Sequence, residues 1–195
     1  MTNQLLSICR VAAATCVLAT GAAQAQNSLL FQGVTFETLV IDADSLRLTI
    51  TNAVSGGTGN WVDIAYLNAF EIKDIGNVTS ASISGPGSWL VNVNNGVASA
   101  SGCTTGGTTG ACFDSNPALL LTNSMTWVMD FVGTGLDFSA PHLKVQFFES
   151  LSQNRATGDL LSQTIPAIPE PSTYALMLAG LGLVGFMARR RRSAT

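Results

Sequence analysis

The sequence has many serines and aspartates but a single histidine, His142. A serine triad needs a histidine beside an activated nucleophile, and no G-x-S-x-G nucleophile elbow occurs in the chain. His142 follows Pro141 and has the parity opposite to Leu143 in an alternating segment. We therefore expect His142 at the surface or edge of a sheet, without a catalytic role.

Asp63 and Asp130 are carboxylates with aromatic neighbours, Trp61 and Trp127, a combination that suggests a sugar substrate. Glycoside hydrolysis needs two carboxylates that face each other across the scissile bond. Both aspartates fall instead at positions expected to face solvent or one sheet face. An envelope hydrolase is therefore the least favoured hypothesis, after a structural or adhesive protein and a carbohydrate-binding module. The sequence predicts a protein that is not an enzyme, with no catalytic residue.

Two oxygen-rich stretches, residues 42–45 (Asp-Ala-Asp-Ser) and 114–116 (Asp-Ser-Asn), are the candidates for a cation site. Calcium takes six to eight oxygen ligands, and neither stretch has the spacing of an EF-hand loop. Asp-rich turns usually satisfy their own backbone groups. We expect no cofactor and no metal centre, with a structural calcium ion as the alternative.

Three tryptophans could stack on sugar rings. Trp127 alternates in phase with Met125 and Met129, so we expect it in the core. Trp61 and Trp89 stand at the starts of predicted strands beside glycine-rich turns, where exposure is more readily achieved. These two residues are the predicted sugar-binding candidates if the protein is a carbohydrate-binding module.

The elements that would position these residues are strands, because apolar residues recur with a period of two. Glycine-rich turns separate the segments, and Asn95-Gly96 predicts a hairpin turn. The predicted strands are 31–41, 45–53, 61–73, 77–84, 88–93, 97–101, 118–122, 124–133, 142–149 and 160–165. Many short strands with regular turns predict an all-β domain over residues 26–165, an antiparallel β-sandwich or jelly roll.

Residues 1–25 have the features of a cleaved secretory signal peptide. Arg10 precedes a small, apolar stretch, and Ala23 and Ala25 form an A-x-A cleavage site. Export through the secretion translocon would then give a mature protein that starts at Gln26.

Cys103 and Cys112 are the cysteines that remain after the signal peptide is removed. An oxidising compartment favours a disulfide between them. The intervening Thr-Thr-Gly-Gly-Thr-Thr-Gly-Ala has no predicted structure, so the bridge should pin a long surface loop, where a binding function would lie.

The C-terminal part begins with a linker, residues 166–173, which holds Pro169, Glu170 and Pro171. Residues 174–188 are fifteen residues without a charge. As a helix they would span roughly 22 Å, which is marginal for a bilayer core of about 30 Å. We expect a transmembrane helix here. The positive-inside rule would keep residues 189–195 on the cytoplasmic side. Their stop-transfer residues are Arg189, Arg190, Arg191 and Arg192.

The Pro-Glu-Pro triplet, the apolar run at 174–188 and the arginine cluster follow one another in this order. Together they resemble the PEP-CTERM sorting signal of Gram-negative bacteria. The resemblance covers about the last 28 residues, and Ile168 stands where the family usually has Val. It implies recognition by an exosortase, a membrane-embedded enzyme similar to cysteine proteases. Cleavage near Pro169, Glu170 and Pro171 would convert an inner-membrane anchored intermediate into a cell-surface or matrix protein. Such proteins often accompany exopolysaccharide.

The body ahead of the tail carries four basic and eleven acidic side chains over residues 26–168, a net charge of −7. No basic stripe is present, which argues against a nucleic-acid partner. The leading hypothesis is an exported structural or adhesive protein, sorted to the cell surface or extracellular matrix. The alternative is a carbohydrate-binding module with polysaccharide as its partner.

Overall fold

The computed structural model describes residues 26–99, 102–106, 109–157 and 161–168, and residues 177–182 and 184 of the C-terminal tail. Several predicted features lie outside the described residues. These are the signal peptide with Ala23 and Ala25, the triplet Pro169, Glu170 and Pro171, and arginines 189–192.

The described residues of the body form twelve strands and one short 3-10 helix. The strands are β1 (Gln26–Phe31), β2 (Val34–Val40), β3 (Ser45–Thr51), β4 (Tyr66–Lys73), β5 (Asn77–Ser84), β6 (Trp89–Val93), β7 (Asn95–Ala98), β8 (Gly102–Thr105), β9 (Gly110–Leu120), β10 (Ser124–Thr134), β11 (His142–Phe148) and β12 (Leu161–Thr164). The 3-10 helix spans Gly59–Trp61. The prediction of an all-β body is confirmed.

Ten strands form two five-stranded antiparallel sheets. Sheet I has the order β1-β2-β3-β10-β5, and sheet II has the order β12-β11-β4-β9-β6. The two remaining strands, β7 and β8, pair only with each other among the described strands. The chain crosses between the sheets several times, so neither sheet is complete without distant parts of the sequence.

One hydrophobic core joins the two sheets. Phe70 of sheet II lies 5.5 Å from Trp127 of sheet I, and Phe113 of sheet II lies 6.4 Å from Phe131 of sheet I, between ring centroids. Trp127 has no exposed surface, as the sequence predicts. The alternating side chains of β10 therefore point into a layer shared by both sheets.

The predicted strand 31–41 is wrong at its start, because the chain reverses there. β1 and β2 form a hairpin in which Phe31 pairs with Val34 across Gln32 and Gly33. These two residues have φ values of 44° and 80°. A Cβ atom at Gly33 would lie 1.8 Å from the Gly56 carbonyl oxygen, so the tight contact requires glycine.

Two further boundaries differ from prediction. The predicted strand 61–73 is wrong at its start. Trp61 is the last residue of a 3-10 helix, and β4 starts only at Tyr66. The predicted Asn95-Gly96 hairpin turn is wrong, because both residues belong to β7 and pair with β8. Asn94 adopts the positive φ instead, at 59°, and β6 pairs with β9.

The region between the cysteines is also more ordered than predicted. Cys103 lies on β8, and Cys112 lies on β9, which starts eight residues before the predicted strand 118–122. The disulfide between them is present, with a Cα–Cα distance of 5.8 Å. It fastens the β7–β8 hairpin to sheet II, so it does not simply pin a loop.

The β7–β8 hairpin covers the outer face of sheet II, which points away from the shared core. Val97 of the hairpin packs against Ala69 and Cys112, and all three are buried. Glu71 is fully buried beneath the hairpin, and its Oε2 accepts a hydrogen bond from the Val97 amide at 3.0 Å. Lys144 Nζ donates to the Val97 carbonyl at 3.2 Å and lies 4.0 Å from Glu71 Oε2.

Gln146 is a second polar anchor for the hairpin and has no exposed surface. Its Nε2 donates to the carbonyls of Ala98 and Ser99, at 3.0 and 2.9 Å. Its Oε1 accepts a hydrogen bond from Asn68 Nδ2 at 2.7 Å. Buried polar groups of this kind are tolerated because hydrogen bonds replace the lost water. The hairpin is thus held by its backbone as well as by the disulfide.

The disulfide gives a stability prediction. It closes a short loop, with a sequence separation of 9, and the chain-entropy model assigns about 2.5–3 kcal/mol to such a bridge. Replacing both Cys103 and Cys112 by alanine should lower the free energy of unfolding in urea by about that amount. Amides of the hairpin should exchange faster, while those of β3 and β10 keep their protection. Unchanged exchange in the hairpin would contradict its dependence on the bridge.

Candidate functional site

A groove of about 420 Å³ opens on the outer face of sheet II, beside the β7–β8 hairpin. It combines polar side chains with exposed apolar ones. Its lining residues are Asn68, Leu90, Asp114, Ser115, Asn116, Pro117, Ala118, Phe148, Leu151, Gln153 and Asn154. We call it the outer groove. None of these eleven residues was predicted to line such a groove.

One wall of the outer groove is an irregular part of β9. Leu67 of β4 pairs with Leu119, but Ala69, two residues later, pairs with Asp114. Residues 115–118 therefore leave the ladder between β4 and β9. Ser115 Oγ donates to the Pro117 carbonyl at 2.9 Å, which holds the bulged segment. Bulges re-aim side chains and are frequent beside functional sites.

The opposite wall is the segment between β11 and β12. Gln153 Oε1 accepts hydrogen bonds from the Glu149 amide at 2.6 Å and from Thr157 Oγ1 at 3.0 Å, which closes this segment on itself. The Ala156 amide donates to the Ser99 carbonyl at 2.8 Å. The wall is therefore tied to the hairpin, and the hairpin is tied to sheet II.

Asp114 is the acidic residue of the outer groove. Partial burial raises the pKa of its carboxyl group above the ordinary value of 3.8, and a hydrogen bond from the Cys103 backbone opposes this shift. Leu90 and Leu151 flank the groove with 60% and 58% of their surfaces exposed. The groove thus offers a partly buried acceptor next to exposed apolar side chains.

The predicted sugar-binding tryptophans do not line this groove. Trp61 has no exposed surface, so its expected exposure is wrong. Its ring meets Phe31 and Phe147 edge to face at 5.0 and 4.9 Å, because the 3-10 helix turns it into the space between the sheets. Trp61 cannot stack on a sugar in the folded domain.

Trp89 is half-buried and also faces the core. Its ring lies 5.1 Å from Phe70 and 5.7 Å from Trp127, both in edge-to-face geometry. Its Nε1 donates to the Pro86 carbonyl at 2.7 Å. The indole N–H is therefore already satisfied within the protein.

The candidate carboxylates are dispersed. Asp130 lies on the outer face of sheet I and accepts hydrogen bonds from Ser45 Oγ at 2.8 Å and Ser82 Oγ at 3.4 Å. Asp63 is exposed, as expected, in the segment before β4. Neither residue lines the outer groove. The structure does not bring the two together with Asp114.

The predicted oxygen-rich stretches differ from each other. In residues 42–45, the Asp44 amide donates to Asp42 Oδ1 at 3.2 Å, as in a self-satisfied turn. The other stretch, residues 114–116, lies on β9 and contributes to the outer groove. Within the described ranges, no three His, Cys, Asp or Glu side chains are grouped as a metal site would require. The absence of a metal centre, with a structural calcium ion as the alternative, stays a prediction.

His142 lies on the surface of sheet II, at the start of β11. Its Nε2 is 3.0 Å from Ser162 Oγ, and its Nδ1 is 3.9 Å from Asp74 Oδ2. The second distance is longer than a hydrogen bond, and the Asp74 side chain is 60% exposed. Burial and the charge of Lys73 lower the pKa of His142. Asp74 therefore does not orient the imidazole as a triad carboxylate would.

The end of the body lies against β1. Ala167 forms an antiparallel bridge with Asn27, and the Ile168 amide donates to the Gln26 carbonyl at 2.9 Å. β12 belongs to sheet II, so the segment that follows it reaches from the edge of sheet II to the edge of sheet I. The triplet at 169–171 follows directly after this contact.

The tail contains a described helical portion, residues 177–182 and 184, inside the predicted transmembrane segment 174–188. Met177, Leu178, Leu181 and Val184 each expose more than half of their surface. Within the described residues, no helix is long and apolar enough to span a bilayer.

The raised pKa of Asp114 predicts how stability responds to pH. A carboxyl group whose pKa is higher in the folded state disfavours folding once it is ionised, so its cost appears above its ordinary pKa of 3.8. Asp114→Asn should therefore raise the melting temperature at neutral pH. The gain should shrink towards pH 3.8. Asp63→Asn, at an exposed position, is the control. An equal gain from both variants at all pH values would contradict burial as the cause.

Comparisons with known proteins give one family match, and it lies at the C-terminal end of the chain. No curated protein and no solved structure matches the chain. Residues 167–192 match a family model described as the PEP-CTERM protein-sorting motif. This match begins at the residue that bridges Asn27 and ends at the last arginine of the cluster. The chain therefore carries a C-terminal PEP-CTERM protein-sorting motif.

Proposed function

We propose that this protein is exported, held at the membrane by its tail, and processed by an exosortase near Pro169, Glu170 and Pro171. The mature β domain would then act at the cell surface or in the extracellular matrix as a structural or adhesive component. The observation that carries this proposal is the PEP-CTERM motif at residues 167–192. Such a motif implies export and membrane-associated processing.

The position of the motif supports processing. The body has its own core, and Ala167 and Ile168, its last described residues, contact β1. A cut after Ile168 would remove the tail without removing any strand of either sheet. The folded domain would thus survive release.

The surface of the body supports a role among polysaccharide chains. The outer face of sheet I presents small hydroxyl side chains, with Thr49 Oγ1 and Thr126 Oγ1 3.2 Å apart across neighbouring strands. The body is acidic and carries few long basic side chains. A hydrated, neutral-to-acidic face of this kind suits a matrix component, and exopolysaccharide is its proposed setting.

The sorting proposal predicts the fate of a motif variant. When Pro169, Glu170 and Pro171 are all replaced by alanine, the full-length protein should accumulate in the membrane fraction, and the released form should fall at least about tenfold. The reason is that the exosortase would no longer recognise its substrate. Fractionation followed by immunoblotting against the β domain measures this ratio.

Pro166→Ala is the matched control, because Pro166 lies just outside the matched residues and only its backbone carbonyl bonds to the Ser28 amide. This control should be released normally. Normal release of the triple variant would show that the triplet does not direct processing, and the sorting proposal would then be abandoned.

A further inference from the structure

We propose that the outer groove is a binding site for a hydroxyl-rich glycan segment without acidic groups. This inference deepens the proposed matrix role and rests on it only for the source of the glycan. The proposed sugar site is therefore not at Trp61 or Trp89. It lies on the face of sheet II that carries the β7–β8 hairpin.

The dimensions of the outer groove suit a short oligosaccharide. Its volume of about 420 Å³ falls within the range of roughly 300–1,000 Å³ typical of small-ligand sites. It is bounded by two structured walls, the bulge of β9 and the segment closed by Gln153. A ligand would therefore meet a preformed surface, which lowers the entropy lost on binding.

The polar lining matches hydroxyl groups. Asp114 is an acceptor whose hydration is reduced by burial, so it gains from a hydroxyl donor. Asn116 and Asn154 are exposed amides that make no side-chain hydrogen bond within the described part of the chain. Each amide can both donate and accept, as a sugar hydroxyl can. These three side chains provide the specificity of the site.

The apolar lining matches the C–H faces of sugar rings. Leu90 and Leu151 are more than half exposed on this groove, whereas Leu48 and Leu67 of the two sheets are fully buried in the core. Pro117 and Ala118 add small apolar surface on the bulge. Covering these side chains would remove apolar surface from water, which favours binding.

The charges of the outer groove select against acidic ligands. None of its lining residues is basic, and Asp114 contributes a negative charge. Lys144, which anchors the hairpin, is engaged with the Val97 carbonyl and lies beside Glu71. Arg155 follows the lining residue Asn154 but does not itself line the groove. A glycan with uronic acids, a phosphorylated glycan or a nucleic acid would therefore meet the charge of Asp114 without a basic lining residue to compensate it.

The test is calorimetric titration of the full chain, purified in detergent, with three sets of tetra- to hexasaccharides. One set is neutral, one contains amino sugars and one contains uronic acids. We expect saturable binding of neutral or amino-sugar members and none of the acidic set. Asp114→Asn and Asn116→Ala should each weaken binding at least about fivefold, because the first replaces a charged acceptor by a neutral amide and the second removes an amide that donates and accepts.

Two control variants lie on sheet I, away from the outer groove. Glu37→Gln removes a carboxylate from β2, and Leu30→Ala removes an exposed leucine from β1. Both should bind as the unchanged protein does. Leu151→Ala, in an exposed position on the groove wall, provides a further groove variant if Asp114→Asn perturbs folding, as judged by near-ultraviolet circular dichroism.

Binding restricted to the acidic set, binding unaffected by all groove variants, or no binding to any set would overturn the inference. Binding of a peptide, instead of glycans, in the groove would also overturn the inference. The titration uses purified protein, so its failure leaves the sorting proposal intact. Conversely, normal release of the motif variant would leave glycan binding untouched.

Discussion

The structure depends on the burial of sheet II on both of its faces. Its inner face packs against sheet I, and its outer face lies under the β7–β8 hairpin across β4, β9 and β11. A strand layer buried on both sides must satisfy any polar side chain it encloses. Gln146 meets this requirement by bonding to the hairpin backbone. Glu71 meets it only through Oε2, because its buried Oε1 has no hydrogen-bond partner among the described residues, and the disulfide adds a covalent link. The hairpin is therefore a structural cover, and the outer groove exists because that cover ends beside Asp114.

This arrangement separates two tasks within one chain. The body positions its groove through distant segments, since the bulge of β9, the hairpin and the segment before β12 all meet on the same face. The tail carries the sorting motif, and Ala167 and Ile168, the last described residues of the body, contact β1. The described lining residues of the groove all fall between Asn68 and Asn154, so they belong to the body and not to the sorting motif.

The alternation of apolar and polar residues predicted which side chains of the strands are buried. Met125, Trp127 and Met129 were placed in the core, and the cysteine pair was predicted as a disulfide. Sequence patterns gave wrong predictions where contacts between distant segments determine the burial or conformation of a residue. Trp61 looked exposed beside its glycine-rich turn, but a 3-10 helix directs it inward. The threonine- and glycine-rich stretch between the cysteines gave no strand signal, although pairing with β7 and β4 orders parts of it. The outer groove could not be predicted, because the pairing of β4 with β9 and the contact of Ala156 with Ser99 bring Asn68, Asp114 and Asn154 together from distant parts of the sequence.

The intact mass of the protein recovered from the cell surface tests the central claim most directly, that a disulfide-closed β domain is separated from its sorting tail. The account predicts a chain that begins at Gln26, ends close to the triplet at 169–171, and is lighter by two hydrogen atoms than the dithiol form. A surface form that retains Thr195, or one whose Cys103 and Cys112 are both free thiols, would contradict the account.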